Sequence, residues 1–353
     1  MRYCDVLVVG GGPAGSAAAA EAAKLGAETI IAEKQRTVGE PVRCAEFVPL
    51  MLLRELDIPA AAVSRSTTGM KTFLPGGEEI VSSLPGVMLH RNLFDQALAE
   101  YAAGEGAKLI TGARCTEYRR GEVIMSAGSG EISIVPRVII GADGPASTVG
   151  KWMGSVNKDF IIGLQYELPL AKPLEHTEIH FRHEFYGGYG WLFPKEHTAR
   201  VGIGVRLSKP LSRRPYLRSL LAGFAESLAK QGKVKGDPLS FVSGLIPCGG
   251  PLRTVKDAIV LAGDAAGQTH AITGGGVPQA VLCGKMAGRA AARAAAAGSM
   301  ELLQAYEKEW QLLFHDELAR ARKKRQLLES QWDTLDAVVK KTWVIFREYY
   351  REG

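Results

Sequence analysis

The apolar positions fall into two textures. Val6–Val9 is a short β-branched run, and Ala17–Leu25 is strongly helix-forming and stopped by Gly26. Thr29–Ala32 is a second apolar run closing on Glu33. Val138–Ile140 and Ala258–Leu261 are two further buried strands. His90–Ala103 predicts an amphipathic helix carrying Arg91, Phe94, Asp95 and Leu98, and 277–297 predicts an alanine-rich one. Val48–Leu56 reads as a short helix, 69–84 as a hairpin about Pro75-Gly76-Gly77, and Glu122–Ser126 with Glu131–Val135 as another. From 160 to 247 the period becomes two: Ile161–Glu167, Thr177–Phe185, Gly190–Phe193 and Val201–Leu207 alternate, with one helix at Leu217–Gln231. That pattern predicts an antiparallel sheet with one wet or ligand-facing side. Beyond 301 the chain is helical and highly charged.

Three strand ends carry chemistry. Val6–Val9 runs into Gly10, Gly12 and Gly15, spaced GxGxxG, then helix, strand and Glu33. This is the order of a dinucleotide-binding βαβ unit. Its glycines let backbone approach a pyrophosphate, the helix N-terminus stabilises the charge, and Glu33 accepts from a ribose hydroxyl. A carboxylate there repels a 2′-phosphate, so NADP is not expected in this site. The second strand end is Ile139-Ile140-Gly141-Ala142-Asp143-Gly144-Pro145-Ala146-Ser147, and the third is Val260-Leu261-Ala262-Gly263-Asp264-Ala265-Ala266-Gly267. Gly274-Gly275-Gly276 precede Val277-Pro278, a suitable first turn for a helix.

These three segments in this order resemble the flavoprotein family typified by para-hydroxybenzoate hydroxylase, over residues 1–290. Pro41-Val42-Arg43-Cys44 and Tyr189-Gly190-Trp191-Leu192-Phe193-Pro194-Lys195, followed by Gly202-Ile203-Gly204, are similar to the PxRC and YxWxFPK…GxG signatures of its geranylgeranyl reductase branch. Two departures are Ala45-Glu46 after Cys44, where Gly often occurs, and His270, where the hydroxylases usually carry Pro. The resemblance implies an α/β fold: a Rossmann-like FAD-binding domain (1–63, 87–150, 250–300), an antiparallel β-sheet substrate-binding domain (64–86, 151–249) and C-terminal helices (301–353). It implies FAD contacts from Gly10, Gly12, Ala14, Gly15, Glu33, Lys34, Arg43, Cys44, Ala45, Arg91, Asp143, Gly144, Gly263, Asp264, Gly274, Gly275 and Gly276. It implies a catalytic part for Cys44, with Tyr189, His270 or a bound water as the other candidate proton donors. Independently of the resemblance, Tyr189, Trp191 and Phe193 point to one face of a strand and are expected to line an apolar substrate site, while Phe181 on the preceding strand belongs either to that wall or to the sheet core. Lys195 is either part of this motif or a solvated strand end, and Arg91 either a cofactor contact or a solvated helix-end residue. The activity implied is reduction of isolated double bonds in a prenyl lipid, with NAD(P)H or reduced ferredoxin as electron donor. An aromatic hydroxylase or halogenase, and a membrane-attached electron carrier, are the alternatives.

Composition excludes more than it selects. The 353 residues suggest about two domains. A net charge of +6 is mild and does not call for nucleic acid. The five cysteines form no CxxC pair and the seven histidines no HxxxH, so no metal site is expected. No apolar run is long enough to span a bilayer and none precedes the first strand as a signal peptide, which together predict a cytoplasmic protein. The basic run Arg320–Arg325 and Trp343-Val344-Ile345-Phe346 could touch an anionic membrane. Yet residues 301–353 balance ten basic against ten acidic side chains, which favours helices packed on the cofactor domain with a wet outer face.

Overall fold

The computed structural model describes residues 2–55, 58–128, 130–207 and 214–351. Its helices are α1 (Pro13–Lys24), α2 (Arg91–Gly104), α3 (Thr148–Met153), α4 (Arg214–Lys230), α5 (Val277–Ala297), α6 (Gln304–Ser330) and α7 (Leu335–Thr342).

An eight-stranded sheet is built on five parallel strands: Ile259–Leu261, Gly130–Gly141, Arg2–Val9, Thr29–Glu33 and Lys108–Thr111. Val6, Leu7, Val8, Ile31, Val138, Ile140 and Val260 are fully buried in it, as strands covered on both faces require. The sequence pattern separates Glu131–Val135 from Val138–Ile140, but the structure joins them in one strand through Pro136. Proline is tolerated there because one edge is unpaired. The antiparallel neighbour Glu122–Ala127 stops at Ile134, and Ile259–Leu261 begins pairing only at Ile139. Helix α5 lies on α1 with little between them. A Cβ at Gly284 or Gly288 would overlap the carbonyl oxygens of Ala14 and Ala18.

A seven-stranded sheet runs in the order Ser240–Pro247, Phe160–Pro169, Thr198–Arg206, Gly190–Pro194, His176–His180, Gly69–Phe73 and Glu79–Ser82. It is antiparallel except where Gly69–Phe73 pairs with His176–His180. One face packs Leu192, Val201 and Ile203 under Leu221, Phe224 and Leu228 of α4. The alternation predicts that the opposite face is wet or ligand-facing. Instead Trp191, Phe193, Ile179 and Met70 pack beneath Leu328, Trp332, Leu335, Val338 and Trp343. The strand expected at Thr177–Phe185 ends at His180, where the chain turns. Phe181 therefore joins the Trp191 face, while Phe185 turns the other way onto Phe224. A small third sheet pairs Phe47–Pro49 and Val63–Thr67 with Gly86–Leu89. Of the helix expected at Val48–Leu56, Val48 is in this sheet, Leu50–Glu55 is a 3-10 helix, and Leu56 lies outside the described residues.

Helix α6 spans about 40 Å at 1.5 Å per residue and connects both cores. Trp310 and Leu318 pack on the parallel sheet, and Leu328 on the aromatic face of the other. The basic run is thus not one solvated stripe, because Arg325 is buried and donates to the Gly187 carbonyl. Trp343 is only 2% exposed, so it belongs to the interior. No helix among the described residues is long and apolar enough to cross a membrane.

Candidate functional site

The site begins at the first glycine turn. Gly10 has φ +102°, and a Cβ there would overlap the Ala142 carbonyl oxygen, so this turn and the second strand-end turn touch through backbone. A Cβ at Gly15 would overlap Gly10 O, whereas one at Gly12 meets nothing within 4 Å. Open space therefore faces the N-terminus of α1, where an anion is stabilised. Glu33 Oε2 accepts from Gly11 N at 2.7 Å and Oε1 from Gln35 N at 2.8 Å. The carboxylate is fixed at the strand end with lone pairs to spare. Ala14 is buried behind the turn, and Lys34 is exposed beside Glu33.

The two later acids behave differently. Asp143 turns back onto its own chain: Oδ2 accepts from Thr148 N at 2.6 Å and Oδ1 from Ser147 Oγ at 2.5 Å, at the start of α3. Burial raises its pKa. Gly144 follows with φ +84° and open space at its Cβ position. Asp264 accepts from Thr269 Oγ1 at 2.6 Å. Burial raises its pKa too, opposed by Thr269 and by the charge of Arg91. Gly263 and Gly274 both take positive φ, and Gly274 N donates to His270 O while His270 N donates to Gly275 O. This folds the triple-glycine loop onto the Asp264 turn. Gly276 then caps α5, with its Cβ position 3.5 Å from Asp264 Oδ1.

Arg91 opens α2 and is not a solvated helix-end residue: its side chain is 12% exposed and forks onto Asp95 at 3.0 and 3.1 Å. Burial opposes its charge, and Asp95 and the neighbouring Cys44 sulfur more than offset that. Cys44 is half-buried, unlike the four other cysteines, which are buried. Arg43 is exposed above Gly244 of the seven-stranded sheet, and Ala45 packs on that sheet's aromatic cluster. The thiol accepts from Glu46 N at 3.2 Å.

Sequence reasoning missed the residues that hold this loop. Glu46 is 1% exposed, with φ +69°. Its Oε2 pairs with Lys195 Nζ at 2.9 Å and Arg200 Nε at 2.5 Å, and its Oε1 accepts from Arg91 N at 3.0 Å. Burial alone would raise its pKa, but Arg200 and Lys195 hold it below the ordinary glutamate value. Lys195 is accordingly a buried ion-pair partner rather than a solvated strand end. Gln165 donates to Cys44 O at 3.1 Å and accepts from Trp191 Nε1 at 3.0 Å. Lys195 was visible as the end of the aromatic motif, but Glu46 read as one acid of a polar loop and Gln165 and Arg200 as ordinary polar strand residues, so nothing in the sequence joined them.

The aromatic motif lies in register across three strands. Gly202 faces both Gln165 and Trp191, and Arg200 faces both Glu167 and Phe193. A Cβ at Gly202 would overlap the indole, which explains the GxG that follows the aromatics: glycine leaves the groove in which Trp191 lies. Phe193 meets Phe47 at 5.5 Å between ring centroids. Tyr189 sits just before its strand rather than on it. Its ring contacts Phe181, Trp191 and Trp343, and its hydroxyl donates to Thr273 O at 2.5 Å. Burial pushes the phenol well above its ordinary pKa. His270 points to the C-terminal helices: Nδ1 accepts from Thr273 N at 3.2 Å, and Nε2 lies 2.9 Å from Tyr349 Oη and 3.1 Å from Glu317 Oε1. The structure therefore brings Cys44, Arg91, Trp191 and Phe193 around one loop, and engages both nitrogens of His270 elsewhere.

Comparison with known proteins decides the family. A family model described as FAD dependent oxidoreductase matches residues 5–42. A digeranylgeranylglycerophospholipid reductase of Methanothrix thermoacetophila is 37% identical over 340 residues, 90% of this chain and 85% of the relative. The protein of the same name from Methanocaldococcus jannaschii is 35% identical over 352 residues, 95% of this chain and 89% of the relative. The chain belongs to the digeranylgeranylglycerophospholipid reductase family. It is an FAD-dependent oxidoreductase. The crystal structure of a geranylgeranyl bacteriochlorophyll reductase-like protein from Thermoplasma acidophilum superposes with a TM-score of 0.87 at 29% identity, covering 98% of this chain and 92% of that one. A flavin-dependent brominase, at 17% identity and a TM-score of 0.73, shares the fold alone. The glycine turns of this family member fit FAD: open space at Gly12 and Gly144 flanks a fixed Glu33, and Asp264 lies against the N-terminus of α5.

Proposed function

We propose that this protein saturates isolated carbon–carbon double bonds in the geranylgeranyl-type chains of a glycerophospholipid. The observation that carries the reading is the meeting of both reductase motifs at one loop: Cys44 O is tied through Gln165 to Trp191. FAD would be held by Gly10, Gly12, Gly15, Glu33, Arg91, Asp264 and Gly274–Gly276, and in its reduced form it supplies hydride to one alkene carbon. The chain must supply a proton to the other carbon and keep water away. Tyr189 already donates to Thr273 O, and His270 is engaged by Glu317 and Tyr349. Cys44 is left as the acid, with Arg91 beside it to stabilise the thiolate that proton transfer leaves. Trp191 and Phe193, covered by the C-terminal helices, would with Phe47 and Tyr189 back the site with apolar surface and keep water from it. One dinucleotide fingerprint is present and FAD would occupy it, so NAD(P)H would bind only transiently or reduced ferredoxin would supply the electrons. Access to a lipid substrate implies peripheral contact with a membrane.

Prereduced protein under anaerobic single turnover should add two hydrogens per double bond to a digeranylgeranylglycerophospholipid, read by mass spectrometry. Reduced flavin that persists beside unchanged lipid would refute the reading. Cys44→Ala should slow flavin reoxidation by the lipid at least tenfold with FAD fully bound, and Cys44→Ser by less. A wild-type rate in Cys44→Ala assigns the proton to another group.

A further inference from the structure

We propose that Glu46, Lys195, Arg200 and Gln165 act as a clamp that holds the Cys44 loop against the seven-stranded sheet, so that the PxRC and YxWxFPK motifs form one positioning device. Its catalytic consequence rests on the prenyl-reductase reading; its mechanics do not.

The bonds converge on Cys44 and, two residues on, Glu46. The Cys44 carbonyl is held by Gln165, whose other end holds the Trp191 indole. Two residues on, the Glu46 carboxylate is held by Lys195, the last residue of the aromatic motif, and by Arg200 on the next strand. Arg200 is anchored in turn to Glu167 at 2.8 Å. Gln165, Glu167, Trp191 and Arg200 share one face, because they occupy two successive same-face rows of the ladder. The remaining Glu46 oxygen accepts from the backbone of Arg91, the residue beside the Cys44 thiol. One carboxylate thus joins the loop, the sheet and the start of α2.

The chemistry explains why charge is used here. Glu46 adopts positive φ, which costs a non-glycine residue about 1 kcal/mol or more. A buried carboxylate with two cationic partners is retained only with its hydrogen bonds complete, and its geometry is then sharply defined. Apolar packing would hold the loop without setting its register. A catalytic thiol displaced by about 1 Å loses rate steeply, so a directional tie suits it. These four residues are positioning residues, and none is required to touch substrate.

Cys44 is the half-buried cysteine among four buried ones, so its alkylation reports the loop directly. The test is the rate and stoichiometry of iodoacetamide labelling of the FAD-loaded full chain, in Glu46→Gln, Gln165→Leu, Lys195→Met and the Glu46→Gln/Gln165→Leu double variant. Cys44→Ser serves as the blank. Each single variant should speed labelling at least fivefold while stoichiometry stays at one. The double variant should fall short of the product of the two factors, because both residues restrain one loop. Lys195→Arg, which keeps the charge, should restore most of the protection. In turnover, kcat should fall with KM little changed. Labelling at the wild-type rate in both Glu46→Gln and Gln165→Leu overturns the clamp. Stoichiometry above one in every variant also overturns it, because the residues then serve global stability alone. A wild-type protein that fails to reduce prenyl lipid, with the labelling pattern intact, refutes the proposed function and leaves the clamp standing.

Discussion

Gly202→Ala is expected to yield a folded, yellow protein that is about 3 kcal/mol less stable and poor at prenyl reduction. The added methyl would overlap the Trp191 indole and stand 2.7 Å from Leu164 O. Backbone on one side cannot yield, so the indole must. Overpacking a well-filled site costs about 1–3 kcal/mol, and a contact against backbone belongs at the upper end. A displaced indole also releases Gln165, and with it the Cys44 carbonyl. The glycine turns proposed to hold FAD lie on the other sheet, so the flavin spectrum should be retained. Denaturant melts followed by single turnover check this. Unchanged stability would show that the groove is looser than the register implies.

Glu46→Ala should be the more damaging change, at about 3–5 kcal/mol, because it leaves Lys195 and Arg200 buried without their shared carboxylate. The same pairing makes stability acid-sensitive. The Glu46 pKa is lower in the folded protein than its ordinary 4.5. Its contribution is therefore fully present above the unfolded value and lost as pH falls through the folded one. Melting midpoints from pH 7 down to pH 3 should fall for the wild type, and more shallowly for Glu46→Ala. Parallel pH profiles would show that the carboxylate is not the group responsible.

The first βαβ unit was legible because its geometry is local. Gly10, Gly15 and Glu33 act within one βαβ unit, and backbone approach requires those residue types. The helix at 277–297 was legible from alanine alone and matches α5. Three features were not legible. Pro136 read as a break because the two-partner gap that accommodates it is tertiary. Alternation at Gly190–Phe193 correctly put Trp191 and Phe193 on one face, but period two says nothing about what covers that face. Glu46 looked like a loop acid because its partners lie 149 and 154 residues away.

The parallel sheet also sets a timetable for synthesis. Its first strand ends at Val9, yet its neighbour Gly130–Gly141 is supported on the far side by Ile259–Leu261. At about 5–20 residues per second, the ribosome delivers that last strand roughly 10–50 s after the first. The alanine face of α1 waits about as long for α5, and Gly69–Phe73 waits about 5–20 s for His176–His180. Both sheets thus stay incomplete until distant chain has emerged, with edges and apolar faces exposed to aggregation. Expression should improve with slower translation or added holdase rather than with a stronger promoter.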